Sequence, residues 1–488
     1  MTRNEKEKAV IIGSGLGGLE CGYILARSGY EVTVLEQAAV PGGCMQSYKR
    51  GGLSFDTGFH YVGGLNEGGS LRWLAEYFNL TDLPWEKLES ECSEELIIGS
   101  STYHIPSGHD NYINYLSSLF PHEREGIIKF VSTLKNIGDS IQMLLDEGHY
   151  AELFGISAYS FLCECIKDER LRAIIAGASM RMDTDFNTIP LYVFGQIHNS
   201  FIQSIWRLKG GGETIVNRLI EDINMLGGEV VTSARVTRVK EDFGRIASVI
   251  TEDGREYEAD IVISDIHPVA LLDILNGSES ISKLFRQRIN RLKESHGAFT
   301  VSIKLKPDTI PYVKHSIHIH KSFSSVWHRD NDRIESMMLS FGVPEDGNYA
   351  TTLDLIIPSR CEEWEDYGGT VGHREEGYNL RKEELARECI ALAETRIHGL
   401  SDAIERYWTS TPLTYRDYTM SPKGSAFGIK KDFHNPLATM ISPRTPISNL
   451  LMTGQSLNLH GVLGVSATSL ITCANVIGKE KIKREFGI

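Results

Sequence analysis

Three spaced glycines near the N-terminus could bind the phosphates of a nucleotide. Gly13, Gly15 and Gly18 follow a short apolar run and precede a segment with helical spacing. The first glycine permits a tight turn, the second leaves room for a pyrophosphate beside the backbone, and the third allows a helix to pack closely on a strand. The start of that helix offers free N–H groups and the positive end of its dipole to the phosphates. The predicted loop consists of Gly13, Ser14, Gly15, Leu16, Gly17 and Gly18.

An acidic residue lies where a ribose would need it. Glu36 follows the alternating run Glu31–Leu35 and comes eighteen residues after Gly18. A carboxylate at this distance accepts hydrogen bonds from ribose hydroxyls and disfavours a 2′-phosphate. A glycine loop alone also occurs as a structural turn, but the order of strand, helix, Gly29 as a stop and an acidic strand end favours a dinucleotide site. We predict that Glu36 and Gln37 border its ribose end and that the site does not take NADP.

Two later stretches carry elements that would complete a nucleotide-binding domain around this loop. Residues 206–263 combine a helix, a Gly-Gly stop and alternating strands, and residues 450–477 combine a short strand, a glycine-rich turn and a last helix after Gly464. Residues 71–202, in contrast, show mainly helical periodicity. The predicted strands are Ala9–Ile12, Glu31–Leu35, Glu229–Val231, Arg235–Glu241, Ile246–Thr251, Tyr257–Ser264, Phe299–Leu305 and Thr351–Ile357. The predicted helices are Leu19–Ser28, Leu71–Phe78, Asp110–Leu119, Glu123–Leu144, Glu213–Leu226 and Arg381–Ile397.

Composition and charge argue against several classes of protein. The chain has 488 residues, of which 41% are hydrophobic and 23% charged, as in a globular protein with room for two cores. The net charge of −14, without a long basic run, argues against nucleic acid as a partner. The eight cysteines show no disulfide spacing, and no apolar run approaches the roughly 18 to 20 residues of a membrane span. We predict reduced thiols in a cytoplasmic protein that is at most peripheral to a membrane.

Four motifs in register along the chain resemble one family of flavoproteins. They are GSGLGG with Glu36, then PGGCMQSYKRGGLSFDTGFHYVGG, TPLTYRDYTMSPKGSAFG and LMTGQSLNLHGVLGVSATSL. Together they are similar to the FAD-dependent amino-oxidase-type superfamily, in its branch of phytoene desaturases, carotenoid isomerases and retinol saturases. Many of these flavoproteins carry an acid where Gln455 stands and an arginine where Cys44 stands. Gln455 and the DTGFHYVGG motif bring the chain closest to the retinol saturase-like branch, which implies reduction of the substrate.

The resemblance implies an α/β fold with two domains. A discontinuous Rossmann-type FAD-binding domain would take residues 1–70, 205–270 and 436–488. A substrate-binding domain, with a mixed sheet and a helical insert, would take residues 71–204 and 271–435. No second glycine loop with a helix and an acid exists in the sequence. Any NAD(P)H would therefore act as an external electron donor, without a domain of its own.

The resemblance also implies how FAD would lie. Its ADP half would bind the glycine loop and Glu36, with the adenine beside the strand that contains Val236. Gly42 and Gly43 would run along the ribityl chain and the flavin. The residues that would flank the ribityl chain and the pyrimidine edge of the flavin ring are Gly454, Gln455, Gly464 and Val465.

Three side chains on these motifs are candidates for proton transfer. Reduction of a C=C bond by a flavin needs a hydride at one carbon and a proton at the other, so an acid with a pKa near the operating pH is useful. The motif register brings His60, Tyr61 and His460 to the flavin, and histidine meets the pKa requirement without heavy tuning. His60 is our first candidate. His460 is equally well explained as a helix cap or a core residue.

Other polar residues have simpler explanations. Tyr415, Arg416 and Tyr418 could line a lipid slot, but a tyrosine in a strand more often packs. His315, His318 and His320 could suggest a metal site. An alternating strand with His318 and His320 on one solvated face explains them more simply, and we predict no metal site.

The predicted function is that of an FAD-dependent oxidoreductase. It would act on C=C bonds of an apolar isoprenoid or polyene lipid, in the manner of a retinol saturase. Alternatives within the family are a carotenoid or phytoene desaturase and a carotenoid isomerase, and a further alternative is an amine or porphyrinogen oxidase. A flavin-binding scaffold without turnover is disfavoured by a substrate domain of this size. We also predict peripheral membrane contact through apolar residues of the insert at 71–202.

Overall fold

The computed structural model describes residues 6–139, 151–183, 185–327, 334–369 and 371–486. The strands within these residues are β1 (Lys8–Ile12), β2 (Glu31–Leu35), β3 (Ser47–Arg50), β4 (Leu53–Asp56), β5 (Val62–Gly63), β6 (Trp85–Lys87), β7 (Glu94–Ile98), β8 (Ser101–Ile105), β9 (Ile205–Leu208), β10 (Glu229–Val231), β11 (Val236–Asp242), β12 (Arg245–Thr251), β13 (Glu256–Glu258), β14 (Ile261–Ser264), β15 (Gly297–Leu305), β16 (Ser316–His320), β17 (Ser336–Phe341), β18 (Thr352–Ser359), β19 (Ile404–Ser410) and β20 (Leu450–Met452). The helices are α1 (Leu16–Arg27), α2 (Arg72–Tyr77), α3 (His109–Leu119), α4 (Arg124–Asp139), α5 (Ala151–Phe154), α6 (Ala158–Cys165), α7 (Glu169–Gly177), α8 (Leu191–Gln203), α9 (Gly212–Met225), α10 (Pro268–Ile274), α11 (Lys283–Asn290), α12 (Glu362–Glu365), α13 (Glu376–Glu394), α14 (Leu400–Ala403), α15 (Pro412–Thr419), α16 (Pro436–Thr439), α17 (Gly461–Ile477) and α18 (Lys479–Phe486).

Five parallel strands from three distant stretches of the chain form the sheet beside the glycine loop. Their order is β10-β2-β1-β14-β20, and each neighbouring pair is parallel. β1 is a nearly continuous apolar run because helices cover a parallel sheet on both faces, whereas β2 alternates, with Glu31 exposed and Thr33 half-buried. Ile12 pairs with both Leu35 and Ser264, so the carboxyl ends of β1, β2 and β14 meet at one edge. The predicted α/β fold is confirmed, and the domain boundaries stay a prediction.

Helix α1 is buried along nearly its whole length. Apart from buried Glu20 and the terminal Arg27, its residues are small or largely apolar, as expected for a helix without a solvent side. It packs on α9 and on α17, which comes from the C-terminal part of the chain. A Cβ at Gly18 would lie 2.1 Å from the carbonyl oxygen of Gly13, so this close approach of helix to loop requires glycine. The helix is thereby fixed with its N-terminus at the carboxyl edge of the sheet.

A seven-stranded mixed sheet forms the second large layer. Its order is β19-β15-β18-β17-β16-β7-β8, and its strands are antiparallel except for β16 on β7. β7 and β8 come from the segment that we predicted as a helical insert, so the insert also supplies a hairpin to this sheet. The core on one face includes Phe299 stacked on Trp364, with ring centroids 5.7 Å apart, and residues of α13.

Helices α3, α4, α6, α7 and α8 enclose a third core. α4 packs on α8 through a stripe of buried residues at helical spacing. That stripe consists of Ile127, Phe130, Val131, Leu134 and Ile137. The helix predicted at 123–144 is observed at 124–139, and residues 140–144 lie outside the described part of the chain. Among the described residues, no helix has both the length and the apolar character to cross a lipid bilayer.

Several predicted boundaries differ from the structure; α1, for example, begins at Leu16 and not at Leu19. The single strand predicted at 257–264 is two strands, because the N–H of Asp260 donates to the carbonyl of Lys8 and leads the chain from a hairpin into the parallel sheet. α13 begins at Glu376, before the predicted start at Arg381. α17 begins at Gly461 and not after Gly464, because His460 takes the N-cap position.

Candidate functional site

A cavity of about 1040 Å³ lies between the carboxyl edge of the five-stranded sheet and strands β15, β17 and β18 of the seven-stranded sheet. This volume is at the upper end of the roughly 300–1,000 Å³ of small-molecule sites, which suits a large cofactor together with a substrate. We describe the residues that line the cavity as two walls. The glycine wall consists of Gly13, Ser14, Gly15, Leu16, Gly17, Glu36, Gly42, Gly43, Val236, Asp265 and Gly454. The aromatic wall consists of His60, Tyr61, Arg181, Phe201, Phe427 and His460.

The structure brings the predicted site residues together around this one cavity. Gly18 is the exception, since it lies behind the lining and packs on Gly13. The predicted residues that line the cavity are Gly13, Ser14, Gly15, Leu16, Gly17, Glu36, Gln37, Gly42, Gly43, Val236, Gly454, Gln455, Gly464, Val465, His60, Tyr61 and His460. Their individual roles stay predictions.

Glu36 ends β2 and is held beside the glycine loop. The Ser14 N–H donates to its Oε2 at 3.0 Å, the Ser14 hydroxyl donates to the same oxygen at 2.5 Å, and the Ala38 N–H donates to Oε1 at 2.8 Å. The carboxylate is 8% exposed, and it faces the cavity. A carboxylate has about four acceptor positions. Glu36 can therefore keep these contacts and still accept a hydrogen bond from a ribose hydroxyl.

Two further turns converge on the start of α1. Gly42 and Gly43 have φ values of 114° and 54°, which favour glycine, and the N–H of Gly42 donates to the Ser14 hydroxyl at 3.1 Å. A Cβ at Gly43 would lie 3.3 Å from the Cα of Gly15, and one at Gly17 would lie 3.1 Å from the Cα of Gly454. Backbone from three motifs is thus packed closely around the N-terminus of a twelve-residue helix, the arrangement that suits an anionic phosphate chain.

Asp265 is a component of the glycine wall that the sequence analysis missed. It follows β14 directly, and its carboxyl oxygens lie so close to the loop that a Cβ at Gly15, Gly17 or Gly454 would meet them within 2.4 to 2.7 Å. Burial raises the pKa of Asp265 to about 7, and the negative charge of Glu36 contributes to the rise. A hydrogen bond from the Gly18 N–H opposes it. One signal in the sequence could have indicated Asp265. It directly follows a strand of the parallel sheet, and ligands bind outside the carboxyl ends of such strands.

Glu20 is a second buried acid close to the same loop. It lies in α1 and is fully buried, and it accepts hydrogen bonds from the hydroxyls of Ser466 at 2.5 Å and Ser469 at 3.0 Å in α17. Burial raises its pKa to about 8, opposed by these two hydroxyls, and nearby Asp265 contributes to the rise. Glu20 therefore carries a proton at neutral pH, which limits the negative charge near the predicted phosphate site.

The aromatic wall joins rings to one buried cation. The ring of Tyr61 meets that of Phe201 edge-on at 5.4 Å, and the Tyr61 hydroxyl donates to Met338 Sδ at 3.1 Å. The guanidinium of Arg181 lies 3.9 Å from the centre of the Phe201 ring and forms an ion pair with Glu94. The sequence analysis named neither Arg181 nor Glu94, because tertiary packing alone brings these remote residues together.

The two histidines of the aromatic wall are neutral at pH 7. Burial lowers the pKa of His60 to about 4, with a contribution from the positive charge of Arg207. Burial also lowers the pKa of His460 to about 4, although its Nε2 lies 3.3 Å from the Arg181 carbonyl oxygen. Our expectation of a histidine with a pKa near the operating pH is wrong for both. His460 occupies the N-cap of α17, but within the described chain its side chain makes no capping hydrogen bond.

The other candidates divide between the cavity and the core. Tyr415 and Tyr418 line the cavity, whereas Arg416 is not among the lining residues. Tyr415 and Tyr418 belong to helix α15 and not to a strand, and Tyr415 Oη lies 2.8 Å from the Thr300 hydroxyl. The solvated face predicted for His318 and His320 is wrong, since both are buried in β16 between β7 and β17. His318 Nε2 lies 3.5 Å from a Glu94 oxygen, and His320 contacts the Gly177 carbonyl oxygen at 2.7 Å. Among the described residues, no group of three or more potential ligands is placed to hold a metal.

Comparison with known proteins gives relatives along the whole chain. Residues 11–78 match the family of NAD(P)-binding Rossmann-like domains. The all-trans-retinol 13,14-reductase of Danio rerio is 26% identical over 528 residues, which cover 96% of this chain and 85% of that protein. The human protein of the same name is 25% identical and covers 98% and 86%. The chloroplastic prolycopene isomerase of Arabidopsis thaliana is 25% identical and covers 98% and 84%.

Solved structures with the same fold are more distant in sequence. An oxidoreductase from Methanosarcina mazei has a TM-score of 0.63 at 18% identity, over 95% of this chain and 99% of that one. Wild-type putrescine oxidase with bound putrescine has a TM-score of 0.65 at 15% identity, over 98% and 100%. At these identities the likeness shows the fold, which these proteins share from end to end.

Proposed function

We propose that this chain, a full-length homologue of the all-trans-retinol 13,14-reductases and prolycopene isomerases, is a flavin-dependent oxidoreductase that saturates a C=C bond of an apolar isoprenoid or polyene lipid. The observation that carries the proposal is the cavity itself, which joins a phosphate-binding type of loop to a wall of aromatic rings. The full-length relatives support it, since both of their names refer to polyene substrates.

FAD is the cofactor that we propose for the glycine wall. Gly13, Gly15, Gly17 and Gly454 line the cavity with backbone, and Glu36 retains acceptor capacity for a ribose. When bound, FAD would supply hydride transfer to or from carbon. The N-terminus of α1 would hold the pyrophosphate, Val236 would border the adenine, and the Gly42–Gly43 turn would lie along the ribityl chain.

The aromatic wall would exclude water and provide the proton. His60 and His460 are neutral imidazoles at pH 7, because burial lowers the pKa of each to about 4. Tyr61 retains its phenolic proton, because burial raises its pKa. Tyrosine can act as a general acid. Tyr61 therefore takes the place of His60 as our first candidate for the proton donor, and His60 becomes a wall residue beside it.

Isomerisation of a polyene is the second candidate function. The prolycopene isomerases support it, since they align with 98% of this chain at the same level of identity as the reductases. Oxidation of an amine is less well supported. Putrescine oxidase shares the fold, but its identity of 15% is below the 25–26% of the reductases and the isomerase.

Product analysis would separate these functions. Holoenzyme with photochemically reduced flavin would be incubated without oxygen with all-trans-retinol, with a linear polyene hydrocarbon and with putrescine. We expect a retinol product that has gained two hydrogens. A product of unchanged mass and altered double-bond geometry would favour the isomerase instead. Oxidation of putrescine by the oxidised enzyme, without change in either polyene, would overturn both.

Peripheral membrane contact stays part of the proposal, because an apolar substrate is stored in membranes. The insert at residues 71–202 exposes Leu119, Ile128 and Ile156, each by 40% or more. Flotation with phosphatidylcholine vesicles should recover part of the protein with the lipid. Replacement of these three residues by serine should release it, whereas complete recovery in the aqueous fraction before replacement would contradict the contact.

A further inference from the structure

A buried ion pair between Glu94 and Arg181 lies at the edge of the aromatic wall. Glu94 begins β7, and Arg181 ends the short 3₁₀ turn Ser179–Arg181 after α7. Their side chains are 5% and 7% exposed. Burying two charges is costly unless further hydrogen bonds compensate, and a well-packed apolar pair often replaces such a pair without loss of stability. The position of this pair in the cavity wall therefore calls for a functional explanation.

Arg181 has hydrogen-bonding capacity left over. One nitrogen of its guanidinium is committed to Glu94, and Tyr61 is within hydrogen-bonding reach. Its Nε has no hydrogen-bond partner among the described residues, although it is buried. A guanidinium carries five N–H donors. Nε itself is enclosed by the protein, but Nη2 is not committed to Glu94 and Arg181 lines the cavity, so the guanidinium can offer a donor at the cavity surface.

The Arg181–Glu94 pair itself carries no net charge. Burial disfavours a charged Glu94, but Arg181 and then His318 outweigh burial and hold its pKa below the usual value, so the carboxylate stays ionised. Burial lowers the pKa of neighbouring His198 to about 3 and leaves it neutral. One carboxylate thus balances one guanidinium. A site of this kind favours a neutral oxygen group over a carboxylate, which would face Glu94 as a like charge.

We infer that Arg181, fixed by Glu94, binds a single neutral oxygen group, a hydroxyl, at one end of an otherwise apolar polyene. The inference rests on the proposed function and adds its polar subsite. Tyr61 contacts Arg181 and lines the same wall. A double bond next to the hydroxyl-bearing carbon would therefore lie beside Tyr61, and the Arg181 anchor would select which bond of the polyene is presented.

Binding to the oxidised holoenzyme tests the subsite without turnover. The probes are all-trans-retinol, its methyl ether, the hydrocarbon in which hydrogen replaces the hydroxyl, and retinoic acid. Quenching of tryptophan fluorescence would give the dissociation constants. We expect the alcohol to bind at least about tenfold more tightly than the hydrocarbon, because the hydrocarbon leaves a buried donor unpaired. The ether should be intermediate, and the acid should bind more weakly than the alcohol.

The outcomes of this series separate the two proposals. Equal binding of all four probes would overturn the subsite and leave the proposed function standing. If none of the polyenes binds, the proposed function fails together with the subsite. Tighter binding of the acid than of the alcohol would also overturn the inference, because it would require an uncompensated positive charge at Arg181.

Two variants sharpen the assignment. Glu94→Gln leaves Arg181 without its counter-charge, so we expect the preference between acid and alcohol to shift at least about tenfold toward the acid. Arg181→Met should abolish the preference for alcohol over hydrocarbon. Glu95→Gln is the matched control, since Glu95 is the next residue of β7 and pairs with Arg396 and His315 away from the cavity. An unchanged ligand preference in both variants would overturn the inference. If neither variant folds, the wild-type series decides.

Discussion

The two walls of the cavity bury charge in opposite ways. Beside the glycine loop, Asp265 and Glu20 are acids without a cationic partner among the described residues, and burial raises their pKa values to about 7 and about 8. On the aromatic wall, Glu94 is paired with Arg181 and stays ionised. Asp265 and Glu20 are thus neutralised by protons, whereas Glu94 is neutralised by an ion pair.

This difference implies different responses to pH and to mutation. Asp265 of the glycine wall and nearby Glu20 change charge around pH 7 to pH 8, so binding of an anionic cofactor should depend on pH there. The aromatic wall should keep its charge state over the same range, because its histidines titrate near pH 4 or below. The glycine wall also presents mainly backbone to its ligand, whereas the aromatic wall presents side chains.

The largest effect is expected for Glu36→Arg on the glycine wall. The substitution removes the acceptor for the ribose and places a cation beside Ser14. Hydrogen bonds to a charged group contribute about 1.5–3 kcal/mol each, so FAD affinity should fall about a hundredfold or more. Flavin absorbance after gel filtration would measure retention. Glu31→Arg, on the exposed start of β2, should retain FAD. Recovery of stoichiometric NAD without flavin from the wild-type protein would refute the cofactor assignment.

On the aromatic wall, Tyr61→Phe should have a nearly comparable effect but on a different step. Loss of one general acid lowers a rate by about a hundredfold. Stopped-flow measurement should show slower reduction of the lipid, with flavin reduction and FAD content unchanged. His60→Phe is the comparison, and it should slow the same step less, because His60 is neutral at pH 7. If His60→Phe slows the lipid step a hundredfold and Tyr61→Phe does not, the proton donor is His60.

A smaller effect, specific to the glycine wall, is expected for Asp265→Asn. If the phosphate site requires protonated Asp265, whose pKa is about 7, then wild-type affinity for FAD falls about tenfold between pH 6 and pH 8. The variant should bind FAD about tenfold more tightly than the wild type at pH 8 and equally at pH 5. Flavin fluorescence titration at three pH values would measure this. Parallel pH profiles for both proteins would show that Asp265 does not carry the proton.

The smallest effect is expected for Glu20→Gln in the protein without cofactor. The pKa of Glu20 rises on folding from 4.5 to about 8, so the folded state binds more protons than the unfolded state between these values. Its contribution to stability is full at pH 4 and is lost as the pH rises toward 8. At pH 8 the variant should unfold about 2–4 °C above the wild type, and at pH 5 the two should coincide within about 1 °C. Differential scanning calorimetry at both pH values would measure the two unfolding temperatures. A difference between variant and wild type that is the same at pH 5 and pH 8 would contradict this assignment.

The glycine wall could be predicted largely from sequence because its geometry requires particular residues. The close approach at Gly18 and the positive φ of Gly13 require glycine, so the positions of these glycines in the sequence indicate the local fold. The relation to retinol saturases and carotenoid isomerases, predicted from four motifs, is confirmed by relatives that cover the chain. Asp265 escaped notice because many residue types can follow a strand, and nothing in the sequence shows how far it is buried.

The aromatic wall was only partly predictable. His60, Tyr61 and His460 were placed correctly at the cavity by the motifs, but their pKa values depend on burial among residues distant in sequence. Glu94 and Arg181 meet because a hairpin of the insert joins the seven-stranded sheet. Such pairings depend on tertiary contacts that local periodicity does not encode.

Anaerobic mixing of reduced holoenzyme with all-trans-retinol tests directly whether the enzyme saturates a C=C bond at the expense of reduced flavin. The flavin absorbance near 450 nm is followed in the stopped-flow instrument, and the product is quantified from the same mixture. We expect reoxidation of one flavin for each retinol that gains two hydrogens. Flavin that stays reduced while the polyene is unchanged or only isomerised would contradict it.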